Sequence, residues 1–429
     1  MLDNTGIRQL CYIVKIDSVE PISGKDRVEC AKVGGWSVMV RKGQFKANDL
    51  GIYFEIDSKV PNDEPFAFLA SKNFKIKTQK YSIKDNNGKK IGNFYSQGLL
   101  MSADDFGGIQ YQDGDGQLYL HFGKDSYFKE NMDVKEGDFL TEKLNVTYSV
   151  EEDNKRKASG NPKVKIDSVL SRHPKIAKKY GKIIKKNKIL CNIFILFFGN
   201  KKNENKKAFP KKFPYVKKSD EERCENMTWI LENKTPFVKT TKIDGTSTLF
   251  VLERKPFKKT EFYVCSRNVR QLAPEQDTFF EDNVYWEVEF KYHIKDFLND
   301  MLKQHPDWNY VALQGETAGI SENGCNIQGN PHKFKELRFF GYNFIDPQKG
   351  RWGSVEAKNL VAPYGIEWVP IVDENYILPD DFEEFKLSAD GPCEAPGASG
   401  NREGYVYRNV ADPNLSFKNV SRTYLMKHE

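Results

Sequence analysis

From about residue 10 to residue 148, apolar and polar residues alternate in short β-type runs, "CYIVKIDSVEPI", "RVECAKVGGWSVMVRKG" and "LGIYFEIDSKVP", separated at close intervals by Gly, Asp and Pro. Period-two alternation marks strands with one buried face, and closely spaced turns predict a small β-barrel. Near residue 220 the stretch "DEERCENMTWILEN" has helical spacing, after which strands and turns alternate to the end. The strongest apolar run, "ILCNIFILFF" from Ile189 to Phe198, contains Asn192 and has roughly half the ~20 residues of a spanning helix. It predicts a buried strand or helix. No repeat with a period of roughly 20 to 50 residues is visible.

With 429 residues, 39% hydrophobic and 13% aromatic, the chain has material for two or three domains and a sizeable core, which excludes a disordered chain. The opening "MLDNTGIRQLCYIVKIDSVE" has no basic lead followed by a long apolar segment, so no secretory signal is predicted. Seven cysteines form no CxxC pair. Their odd number and wide spacing argue against a disulfide framework and a zinc site, and predict a reducing, intracellular setting, cytoplasmic or nuclear. Between Lys155 and Asp220 there are 21 Lys or Arg against three acids, a balance of +18 in a chain whose net charge is +6. Such a stretch predicts a footprint for a polyanion, since clustered cations release counterions when they neutralise phosphates; the alternative is a solvated basic linker.

Candidate chemistry begins at "TTKIDGTSTLF", Thr240 to Phe250, where Lys242 stands two residues before an Asp-Gly pair. A KxDG tetrapeptide alone is weak. Here it is followed, in order, by "FYVCSRN", "YVALQGETAGI", "RFFGYNFID", "REGYVYRN" and "LSFKNVSRTYL", each an apolar or aromatic run that reads as a strand. This series resembles the covalent nucleotidyltransferase superfamily of polynucleotide ligases and capping enzymes. Within it "SRN", "GETAG" and the early "FPYVKKSDEERCEN" look like RNA ligase features, and a barrel ahead of the transferase domain resembles an RNA ligase family with an N-terminal OB module. DNA ligases and capping enzymes carry that domain after the last lysine motif, where this chain has only a few residues.

The resemblance implies an α+β chain with an OB-type β-barrel nucleic-acid-binding module at 1–148 and a nucleotidyltransferase domain of antiparallel sheets with flanking helices at 205–429; the basic connector between them, 149–204, is read from its charge alone and matches no part of the family. It implies an RNA ligase that joins 3′-hydroxyl and 5′-phosphate ends, a nicked duplex among them, through a lysyl-AMP and an adenylylated 5′ end, with no membrane and no obligate protein partner. A DNA ligase or a GTP-dependent guanylyltransferase is the nearest rival, and a non-catalytic nucleic-acid-binding protein the rival of another class. Lys242 is the expected nucleophile, attacking ATP as a neutral amine. Thr241, Asp244, Gly245, Arg267, Glu316, Tyr342 and Lys418 are expected to hold the nucleotide, with Tyr342, or failing it Phe340, on adenine. Asp244, Glu316 and Glu403 are expected to hold Mg²⁺ or Mn²⁺ or its waters. The final motif has one lysine where two are usual, so Arg408 or Arg422 is expected to compensate. In the barrel, Trp36, Tyr53, Lys42 and Lys46 are candidates for stacking and phosphate contact, and none of the six histidines is assigned a role.

Overall fold

A computed structural model describes residues 1–3, 7–85, 88–148, 170, 174–187, 189–190, 192–194, 216, 220–232, 234–255, 260–267, 269–271 and 283–428. The chain packs as two units, residues 1–155 with 222–232 and 425–429, and residues 156–221 with 233–424. Most of the basic connector, and most of the apolar run 189–198, lie outside the described residues. The described part of that run is helical, with Ile189, Leu190 and Ile193 exposed.

The first unit is built of short antiparallel strands, as the alternation predicts. Strands β1 (Cys11–Lys15), β5 (Leu50–Phe54) and β8 (Leu99–Met101) pair in the order β1-β5-β8. Strands β2 (Ser18–Pro21), β3 (Val28–Val33) and β4 (Trp36–Arg41) form a meander, β6 (Gln79–Lys84) and β7 (Lys90–Ser96) a hairpin, and β9 (Gly108–Gln112), β10 (Leu118–Phe122) and β11 (Met132–Val134) a third group. Ile13, Ile52, Phe54, Phe66, Phe106 and Phe122 meet in one buried cluster, each side chain contributing roughly 1.5–3 kcal/mol by its removal from water. Trp36 and Tyr53 are 2% and 0% exposed. They are core residues and present no stacking face, because both strands that carry them are covered on each side.

The segment 220–232 is not the helix its spacing predicts. It forms two short 3₁₀ turns, Cys224–Asn226 and Thr228–Glu232. Its residues are held instead by side-chain bonds within the first unit: Asn226 Oδ1 accepts from Trp36 Nε1 at 2.7 Å and Tyr12 Oη at 3.1 Å, while Asn226 Nδ2 donates to Glu55 Oε1 at 2.9 Å. Partners so distant in sequence override local helix propensity.

In the second unit one sheet runs β14-β13-β15-β16, from β13 (Thr246–Glu253), β14 (Glu261–Ser266), β15 (Tyr310–Ala318) and β16 (Arg338–Asp346). Helices α1 (Val284–Tyr292) and α2 (Ile294–Gln304) cover it, packing Phe297, Leu298 and Met301 into the cluster that contains Phe250, Leu313 and Phe344. A second sheet joins β12 (Phe237–Lys242), β17 (Ile371–Tyr376), β18 (Gly404–Asn409) and β19 (Ser416–Val420) in the order β19-β18-β12-β17. The mixture of antiparallel sheets and few helices is the expected α+β class.

Candidate active site

Strand register assembles the site from distant motifs. Lys242, the last residue of β12, stands opposite Gly404, and Thr240 stands opposite Val406, which in turn faces Lys418 on β19. Residues two apart on a strand share a face, so Lys242 and Lys418 project from the same side of the sheet, with Glu403 at the mouth of β18. On the other sheet Glu316 of β15 lies opposite Ser247 of β13. The KxDG turn leads from one sheet to the other. Gly245 is required there by close approach, since a Cβ would come to 2.2 Å from the carbonyl oxygen of Thr317. Gly404, at φ 154°, would bring a Cβ to 2.2 Å from the Asn419 carbonyl.

Lys242 Nζ donates to Glu403 Oε2 at 2.6 Å. Burial disfavours the ammonium, but Glu403, Glu316 and Asp244 around it prevail and hold its pKa well above the usual lysine range. The carboxyls respond in the opposite sense. Burial, reinforced by Glu403 and Asp244 against the pull of Lys242, pushes Glu316 up to about 8. Burial and the charge of Glu403 push Asp244 up to about 7, while the Tyr424 hydroxyl, which donates to Asp244 Oδ2, works against the shift. Three carboxyls thus crowd one lysine, with more negative charge than that lysine can neutralise. Among the described residues no group of three or more His, Cys, Asp or Glu is spaced to grip a cation at once. Asp244, Glu316 and Glu403 offer only carboxylate oxygens, the donor type that a hard divalent cation takes.

The remaining predicted residues fall into place unevenly. Thr241 is buried and its hydroxyl donates to Glu394 Oε2 at 2.7 Å. Arg267 and Lys418 share one carboxylate: Asp220 accepts from Arg267 at 3.0 Å and from Lys418 Nζ at 2.8 Å. Tyr342 occupies a β-bulge, where the register jumps from Gln314 opposite Asn343 to Gly315 opposite Gly341. Bulges re-aim a side chain, and Tyr342 is only half-buried, its hydroxyl 3.0 Å from Ser247 Oγ. Phe340 is 1% exposed in the core, which removes it as an alternative platform. Arg408 supports the bulge by donating to the Tyr342 carbonyl at 2.8 Å and to Asn343 Oδ1 at 2.8 Å, and burial lowers its pKa to about 10. Arg422 donates to Glu383 at 2.7 Å. Both arginines thus have protein partners here, as Arg267 and Lys418 do.

Two participants escape sequence reasoning. His332 is fully buried; its Nε2 accepts from the Asp244 backbone N–H at 2.8 Å, and Nδ1 lies 3.1 Å from the Asn401 carbonyl. The ring thereby ties the KxDG turn to the chain entering β18, as the Nδ1–H tautomer. Asp220 is the other. Neither stands in a spacing that marks it.

Residues 235–423 match the RNA ligase family and residues 10–103 an OB-fold domain. No curated protein sequence matches the chain. Among solved structures, a mutant of a Naegleria gruberi RNA ligase with AMP and Mn is 24% identical, with TM-score 0.64, and the alignment covers 98% of this chain and 99% of that one. A mutant of the same ligase with ATP and Mn is 23% identical, with TM-score 0.63 over 98% and 99% of the two chains. The same ligase with PPi is 24% identical, with TM-score 0.63 over the same shares. At this identity the likeness establishes the fold.

Proposed function

Because residues 235–423 match the RNA ligase family and residues 10–103 an OB-fold domain, we propose that the chain is an RNA ligase that rejoins broken RNA by three nucleotidyl transfers that begin at Lys242. Nζ attacks the α-phosphorus of ATP, an N–P bond forms, the bond to pyrophosphate breaks, and a proton leaves the amine. AMP then passes to an RNA 5′-phosphate, and a 3′-hydroxyl displaces it. The observation that carries the reading is the convergence of Asp244, Glu316 and Glu403 on Lys242. A binding module has no use for three carboxyls around a half-buried lysine.

That arrangement also explains why a metal is needed. A lysine held as ammonium has no lone pair to attack with. Bound by these carboxylates, a divalent cation would withdraw their field from Nζ, favour the neutral amine and neutralise charge on the phosphates. Asp244, Glu316 and Glu403 would hold Mg²⁺ or Mn²⁺, and the related ligases with ATP, AMP and Mn support that choice. Arg267 and Lys418, now on Asp220, would turn to the phosphates, where paired cations stabilise developing charge. Tyr342 would stack on adenine, and its hydroxyl contact with Ser247 Oγ would orient the ring.

The OB-fold domain would hold RNA, and the reaction would serve RNA repair. The test is incubation with α-labelled ATP and Mg²⁺, then with an RNA duplex nicked between a 3′-hydroxyl and a 5′-phosphate. Label should appear on the protein and the nick should close, whereas GTP should label nothing. Failure to close the nick despite protein labelling would assign a different acceptor.

A further inference from the structure

We propose that the β6–β7 hairpin of the first unit is a docking surface for the phosphate backbone of RNA, independent of sequence. Residues 72–97 contain seven lysines (72, 75, 77, 80, 84, 89 and 90) and one acid, Asp85. Strand β6 alternates cleanly, with Lys80, Ser82 and Lys84 exposed and Tyr81 and Ile83 half-buried, while β7 begins with Lys90 and Ile91 both exposed. Register places Lys80 opposite Tyr95 and Lys84 opposite Lys90. Like charges directly opposed on an antiparallel pair are destabilising, so the hairpin carries a repulsion that a polyanion would relieve. Its one carboxylate serves the turn, accepting from the Lys89 backbone N–H at 2.8 Å.

Cations and rings are interleaved as nucleic-acid surfaces require. Lys80 Nζ lies 5.6 Å from the Tyr95 ring centre and Lys25 Nζ 6.0 Å from that of Tyr81. The hairpin is anchored at both ends: at its base Ser96 Oγ accepts from Met39 N–H at 2.9 Å, and near its turn Ser23 Oγ donates to the Lys84 carbonyl at 3.1 Å. The lysines are therefore presented on a positioned element. The same unit supplies a contrast. On β9 and β10, Tyr111 and Tyr119 stack at 5.5 Å, but Asp113, Asp115 and Asp133 adjoin them in the turn and on β11. That aromatic pair sits in a field that repels phosphate.

The inference rests on the RNA-joining reading only for the identity of the polyanion. It is tested without ATP, by binding of a fluorescein-labelled nicked RNA duplex to the full chain over a salt series. Replacing Lys80, Lys84 and Lys90 together with Ala should weaken binding at least tenfold at low salt. It should also flatten the slope of log K against log salt by roughly 2 to 3, at about 0.9 per phosphate contact. Label transfer from ATP to the protein should be unchanged, and the corresponding triple Arg variant should bind like the unaltered chain. The proposal is overturned if affinity and slope stay the same, if Lys124, Lys129 and Lys135 changed to Ala produce an equal loss, or if a poly-glutamate peptide competes as well as RNA. Should the unaltered protein fail to take label from ATP, the proposed function falls while these binding results still decide the hairpin.

Discussion

Lys242 Nζ and Glu403 Oε2 stand 2.6 Å apart because strand pairing sets Lys242 opposite Gly404, the neighbour of Glu403. The proposed nucleophile is thus clamped by one of the groups proposed to hold a cation. If that assignment is right, Glu403→Gln, which keeps size and loses charge, cuts the rate of labelling by ATP by ~10² or more, a few kcal/mol of transition-state stabilisation. Partial recovery at raised Mg²⁺ marks the cation role; rates near those of the unaltered protein would make Glu403 structural.

The carboxyls give the pH dependence its sign. Glu316 is pushed up to about 8 and Asp244 to about 7, so below these values protons compete with a cation for the same oxygens. The Mg²⁺ concentration needed for half-maximal labelling should therefore fall as pH rises through about 7 to 8, and excess Mg²⁺ should move the pH midpoint downward. A Mg²⁺ requirement that ignores pH across this window would exclude these two groups.

His332 is a positioning residue whose effect should be separable from folding. His332→Phe removes the acceptor for the Asp244 N–H and leaves it buried, a loss of about 1–3 kcal/mol. Labelling should slow, and His332→Gln, which restores an acceptor, should recover part of the rate. Equal melting temperatures with equal labelling rates for both variants would show that the tether is dispensable.

A buried network should govern the first unit. Asn226→Ala leaves Trp36 Nε1 and Glu55 short of a partner, at about 1–3 kcal/mol for each orphaned group. Burial alone would raise the Glu55 carboxyl, but Arg8 beside it prevails and holds it well below the usual carboxylate range. A depressed carboxyl contributes stability above its unfolded value of about 4.5 and loses it as pH falls below that. Acid melts of the unaltered chain and of Glu55→Gln should therefore converge at low pH; parallel curves would contradict the pairing.

Much of this was legible in the sequence because it is local. Strand alternation is read directly from side-chain faces, and the lysine and acidic motifs stand in the order that carries the resemblance to the nucleotidyltransferase superfamily. What escaped was tertiary. His332 reaches Asp244 across 88 residues, Asn226 recruits Trp36 across 190, and periodicity carries no trace of either. Trp36 and Tyr53 show the converse, since an aromatic beside lysines reads alike whether its ring faces solvent or core. The lysine-rich hairpin at 72–97 was overshadowed by the larger charge excess at 155–220.

The most direct measurement is the fate of α-labelled ATP on the protein itself. The account predicts an acid-labile, alkali-stable adenylate that maps by mass spectrometry to the peptide bearing Lys242, and that is lost in Lys242→Ala and in Lys242→Arg, whose guanidinium stays protonated. An adenylate on any other residue, or label transfer that persists in Lys242→Ala, would contradict it.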